Sequence, residues 1–185
     1  MTWPLRATTH QSNMVLKKYE NIIREINLAI EKFNLLLAEE FRIAPLIGSN
    51  TESCAVLAKG VPWKDQECLP DRLHPGVYIL CAHRQSDPNS LGAYLGKSSV
   101  GNNISMRLSA RLKQPDTTGI YKMTNRAGEP FFIETIVAIG LRNPRMRVLA
   151  SALEPVWKLG KDFPLTSWYF CERFRTSCGC VIQLI

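Results

Sequence analysis

The stretch "GVYILCAHRQSDPNSLGAYLGKSS", residues 76–99, limits what this chain can fold into more than any other. Two short apolar runs, 77–81 and 91–95, flank a polar segment rich in Ser, Asp, Pro and Asn, the pattern of a β-hairpin. A hairpin accounts for the runs. It leaves unexplained why each strand carries a tyrosine near a glycine, Gly76 with Tyr78 and Tyr94 with Gly96, and why Lys97 follows at once.

The flanking patterns set the architecture. Over residues 12–41 the apolar positions Val15, Tyr19, Ile22, Ile26, Ala29, Phe33 and Leu36 recur at helical spacing, with Leu16, Ile23, Ile30 and Leu37 in a row beside them. So wide an apolar face must pack on the domain, on another helix or on a second copy of the chain. Pro45, Gly48 and "GSNTES" end the helix and open a connector to about residue 73.

After the hairpin, Asn102 or Asn103 is placed to cap a short amphipathic helix carrying Ile104, Leu108 and Leu112. Arg107 and Arg111 stand four apart and so share a face of it. "GEPFFIETIVAIG" has the composition of a strand, and "NPRMRVLASALEPVWKLG" that of a second helix stopped near Gly160. The tail, "SWYFCERFRTSCGCVIQLI", is rich in aromatic and β-branched residues and adds one or two strands. The expected fold class is α+β: a core of three strands with helices covering one sheet face, preceded by a long N-terminal helix and followed by a strand-rich extension. The corresponding division is a helical arm and connector over 1–73, a core over 74–160 and an extension over 161–185.

Composition narrows the function classes. The 185 residues, 45% hydrophobic and 21% charged, suit one globular domain with a real core rather than a disordered or fibrous chain. Apolar runs are short and the start, "MTWPLRATTH", has no secretory core, so the expected location is the cytoplasm. Twenty-three Lys and Arg against 16 Asp and Glu give a formal charge of +7, which favours nucleic acid over acidic protein partners. The six cysteines form no CxxC pair, so a zinc site has little support. Cys81 belongs to an apolar strand as a small buried hydrophobe, while Cys171, Cys178 and Cys180 come nearest to a metal or disulfide set. His10, His74 and His83 are scattered.

"GVY" at Gly76–Tyr78 and "YLG" at Tyr94–Gly96, followed by Lys97, resemble the signature of the GIY-YIG nucleases. The resemblance extends past the hairpin, over about residues 74–160. Arg107 stands where that family has an arginine on the helix after the second strand, and Glu154 where it has a metal-binding glutamate. It implies a three-stranded antiparallel sheet and a metal-dependent endonuclease, with Tyr78 as general base, Tyr94 orienting phosphate or water, and Arg107 stabilising the pentacovalent transition state. A literal "GIY" at Gly119–Tyr121 lacks the second tyrosine and the lysine and is rejected. Two departures stand out: Arg111 replaces the histidine or tyrosine common one turn after the arginine, and residues 155–170 contain no asparagine, which many members have after the glutamate. Pro155 directly after Glu154 is unusual inside a helix.

Elementary chemistry supports the same residues. Phosphodiester cleavage needs an activated water, positive charge on the phosphate and help for the leaving oxygen. One carboxylate, Glu154, suffices for a hydrated Mg²⁺ or Mn²⁺; Arg107 offers a planar fork to phosphate oxygens, and Lys97 adds a compact charge. A phenol with a pKa near 10 becomes a base at neutral pH only when cations lower it, and for Tyr78 the expected cations are Lys97 and the metal. Arg111, Lys113, Arg173 and Arg175 are the further candidate nucleic-acid contacts. A small core with embellishments at both ends most resembles the restriction-endonuclease branch, with double-stranded DNA as substrate. A double-strand cut would need a homodimer, formed through the N-terminal helix or on DNA. Open beside this are a nuclease of another role, such as a toxin, a mobile-element enzyme or an RNA-cleaving relative, and a binding protein of the same fold without activity.

Overall fold

The computed structural model describes residues 17–46, 54–57, 62–65, 69–98, 101–125 and 127–149. Its elements are α1 (Glu20–Asn34), β1 (Cys54–Val56), β2 (Gly76–Arg84), β3 (Leu91–Ser98), α2 (Ile104–Arg111), β4 (Tyr121–Thr124) and β5 (Pro130–Gly140). Short 3₁₀ turns lie at Glu39–Phe41, Trp63–Asp65, Pro70–Leu73 and Pro144–Leu149. Glu154, Arg173, Arg175, Cys171, Cys178 and Cys180, the expected tail strands, and the second helix beyond residue 149 lie outside the described residues.

The hairpin forms as its sequence predicts. β2 and β3 pair antiparallel from Gly76 opposite Ser98 to His83 opposite Leu91. β2 is central, because its other edge pairs antiparallel with β5 from Gly76 opposite Gly140 to Arg84 opposite Phe131. The sheet has five strands rather than the expected three. The additional two, β1 and β4, follow one another along the outer edge of β5. β1 has three residues; β4 has four, and its alternation, Tyr121 and Met123 buried with Lys122 and Thr124 exposed, runs for only two repeats.

Both sheet faces are covered, not one. Alternation along β2 sends Val77, Ile79 and Cys81 to one face and Tyr78, Leu80 and Ala82 to the other. The first set packs under Tyr19, Ile22, Ile23, Ile26, Ile30 and Phe33 of the α1 region, and the second under Ile104 and Leu108 of α2. A strand buried on both sides has no polar face to show, hence the unbroken apolar run "GVYILCA". The wide apolar face of the N-terminal helix is thereby buried against its own sheet. Leu28, Leu35 and Leu36 lie outside that contact and are exposed.

α1 stops at Asn34, although the apolar spacing continues to Leu37. Asn34 donates to the Ile43 carbonyl and accepts the Ile43 N–H, both at 2.8 Å, and Asn27 accepts the Leu46 N–H at 2.8 Å. Two asparagines seven apart on the helix therefore hold a returning segment alongside it, and Leu46 is buried there. A register shift at Cys81 and Ala82, with Thr135 opposite the first and Ile133 opposite the second, makes Glu134 the extra residue of a bulge in β5. Its carboxylate accepts from Lys18 Nζ and Tyr19 Oη, each at 2.7 Å, and pairs with His83 Nδ1 at 3.3 Å, pinning the start of the helix to the sheet.

Candidate functional site

Tyr78 and Tyr94 sit on the α2 side of the sheet as diagonal neighbours, since Tyr78 pairs with Gly96 and Leu80 with Tyr94. Their ring centroids are 6.2 Å apart, with the planes tilted by 43°. The tyrosine and glycine are linked by packing. A Cβ on Gly96 would collide with Cζ and Oη of Tyr78, so the second glycine of the motif is the bare floor on which the first tyrosine's ring lies. Gly76 is constrained similarly, for a Cβ there would run into the Ile139 carbonyl oxygen across the β2–β5 pair.

Of the two asparagines the sequence offers as the cap of α2, Asn103 takes the role: its Oδ1 accepts the Met106 N–H at 2.8 Å. Ile104, Leu108 and Leu112 face the core, which leaves Arg107 and Arg111 exposed on the outward side. Arg111 closes onto the tyrosines. Its guanidinium carbon lies 5.3 Å from the centroid of the Tyr94 ring, and its charge is near enough to act on the Tyr78 hydroxyl, as is the Tyr94 phenol.

These contacts decide the protonation of Tyr78, which is only 2% exposed. Burial pushes its phenol well above the ordinary tyrosine range; the neighbouring Tyr94 raises it further, and Arg111 draws it partly back. At neutral pH the group is a neutral hydroxyl.

The expected site residues thus separate. Tyr78, Tyr94 and Arg111 are brought together, and Arg107 stands one turn away on the same helix. Lys113 is exposed just beyond the helix. Lys97 is exposed near the end of β3 and pairs with Val77, whose side chain belongs to the α1 face, so alternation starts Lys97 on the side opposite Tyr78 and Tyr94. The cation acting on Tyr78 is Arg111 rather than Lys97. Residue order alone assigns Arg111 no more than a phosphate contact, because its reach to the tyrosines depends on how α2 crosses β2 and β3. Tyr121, of the rejected "GIY", serves the fold elsewhere, where its buried hydroxyl oxygen accepts the Trp63 N–H at 3.0 Å.

Along the sequence, residues 88 to 115 contain no Asp or Glu, while Lys97, Arg107, Arg111 and Lys113 fall in that interval and are exposed. Positive charge of this kind, Arg107 and Arg111 on α2 above all, attracts polyanions. The same interval offers no carboxylate for a cation, and the described residues contain no group of three or more His, Cys, Asp or Glu that could hold a metal ion. No helix among the described residues is long and apolar enough to cross a membrane.

Comparison with protein-family models, with curated proteins and with solved structures finds no match to this chain.

Proposed function

We propose that this chain is a metal-dependent endonuclease of the GIY-YIG type that hydrolyses phosphodiester bonds in double-stranded DNA, site-specific in the manner of a restriction enzyme. The observation that carries this reading is the packing of Tyr78 against Tyr94 with Arg111 over the Tyr94 ring, and with Arg107 one turn along the same helix.

Arg107 and Arg111 would bind the scissile phosphate and neutralise the charge that builds on its oxygens in the transition state. Tyr94 orients phosphate or water by hydrogen bonding. Tyr78 would act as base in its ionised form, having first given its own proton to solvent, and its phenolate oxygen would then take the proton of the attacking water; ionisation requires more positive charge around it than Arg111 alone provides. Glu154 would hold one Mg²⁺ or Mn²⁺, which supplies positive charge to the phosphate oxygens. Lys113 would add a backbone contact just beyond α2 and Lys97 a further cation near the end of β3, with Arg173 and Arg175 as candidates in the tail. A double-strand cut calls for two such sites, hence a homodimer assembled on DNA. Two observations favour a second reading, a DNA-binding protein of the same fold without activity: burial holds Tyr78 protonated, and Lys97 starts on the other sheet face.

Plasmid cleavage in Mg²⁺ and then Mn²⁺ separates the two, with Tyr78→Phe, Arg111→Ala and Glu154→Ala run in parallel. Discrete fragments from the native protein alone support the nuclease. Tight DNA binding with no cleavage by any preparation would replace it with the inactive binder.

A further inference from the structure

The segment just before β2 meets both the end of β5 and the start of α2. Asp71, in the 3₁₀ turn Pro70–Leu73, is 7% exposed, and its carboxylate does two things. Oδ2 accepts the Gly140 N–H at 3.1 Å at the end of β5, and Oδ1 accepts from Arg142 Nε at 2.7 Å just beyond it. Gly140 lies so close to this turn that a Cβ there would come within 2.7 Å of the Asp71 carbonyl oxygen. Two backbone bonds complete the joint: the Leu141 N–H donates to the Pro75 carbonyl at 2.8 Å, and the Ile104 N–H, the first of α2, donates to the His74 carbonyl at 3.1 Å.

One short segment thus ties the end of β5 to the start of the helix that carries Arg107 and Arg111, and runs straight into the strand that carries Tyr78. We infer that Asp71 is a positioning residue of the candidate site: by clamping Gly140 and Arg142 it fixes the turn on which α2 is seated, and so fixes where Arg111 stands against Tyr78 and Tyr94. A buried carboxylate that uses both oxygens on another element is a joint that either holds or opens, because a lost partner leaves a polar group stranded. Arginine placement in turn decides whether phosphate is met at bonding distance. The inference rests on the nuclease reading for its catalytic consequence alone. The geometric claim stands apart from it.

The test therefore uses two readouts on the full chain. Tyrosines labelled with ¹³C at the ring ζ-carbon report the surroundings of Tyr78 and Tyr94, assigned with Tyr78→Phe and Tyr94→Phe, and Arg111→Ala marks the signals when the guanidinium is gone. Asp71→Ala should move both resonances toward their Arg111→Ala positions, and Asp71→Asn, which still accepts the Gly140 N–H, should restore them in part. Ile30→Val, a core change under the opposite sheet face, should leave them in place. In the plasmid assay Asp71→Ala should lower kcat/KM on the order of tenfold or more, in the direction of Arg111→Ala. Should Asp71→Ala fail to fold, Arg142→Gln decides, since that side chain is 58% exposed and its loss removes half the clamp. Resonances unmoved in the folded Asp71 variant, or in Arg142→Gln if that variant must decide, overturn the inference. A native protein that cleaves nothing overturns the nuclease reading and leaves the tyrosine signals to decide this one.

Discussion

The ring of Tyr78 lies across the bare backbone of Gly96, its partner on the neighbouring strand. Glycine in a strand ordinarily weakens it, and here it admits an aromatic ring where any side chain would collide. Gly96→Ala should therefore destabilise the protein by about 1–3 kcal/mol through overpacking. It should also displace Tyr78 from Arg111 and abolish cleavage. Urea denaturation and the plasmid assay check the two halves; a variant with native stability and native activity would show that the ring yields easily.

The protonation of Tyr78 sets a pH signature. Burial and Tyr94 raise the phenol above its ordinary value and Arg111 lowers it, so the ionised fraction grows with pH across the whole working range. With Tyr78 as base, the cleavage rate should climb about tenfold per pH unit through neutrality without levelling below about pH 9. Arg111→Ala should shift that limb to higher pH as well as weakening phosphate binding. A rate that is flat between these limits would remove Tyr78 from the role of base and leave it as a hydrogen-bond donor.

On the other sheet face, Glu134 should matter to stability and not to chemistry. Burial alone would raise its carboxyl, but its bonds with His83, Lys18 and Tyr19 outweigh that and hold it down at about 2. A carboxyl lowered on folding contributes stability that is complete above its unfolded pKa, near 4.5, and is lost as pH falls toward 2. Glu134→Gln should cost about 1–3 kcal/mol at neutral pH, make the remaining stability less sensitive to acid, and leave cleavage unchanged. Thermal unfolding at a series of pH values tests all three.

Cysteine labelling checks the core independently of function. Cys81 is fully buried beneath α1, and burial pushes its thiol up; burial likewise pushes Cys54 up to about 11. Both should react slowly with iodoacetamide at pH 8 and rapidly in urea, as read by peptide mass spectrometry, because the thiolate is the nucleophile. Fast labelling of Cys81 in the native protein would contradict the packing of α1 on the sheet.

Local pattern determined a good part of this protein. The apolar runs and polar turn specified the β2–β3 hairpin, Asn103 the start of α2, the spacing of Ile22, Ile26, Ile30 and Phe33 the buried face of α1, and "PFFIETIVAIG" the strand β5. Each signal lies within one element, where periodicity and capping are visible in consecutive residues. Tertiary structure decided the rest. The end of α1 depends on Asn27 and Asn34 meeting Leu46 and Ile43, and β1 and β4 are strands only because β5 offers them an edge. The pairing of Arg111 with Tyr78, the placement of Lys97 on the far side, and the clamp of Asp71 on Gly140 and Arg142 all join residues distant along the chain. Contacts of that kind are set by how helices cross a sheet and by where a bulge turns a strand, and no local pattern of residues encodes them.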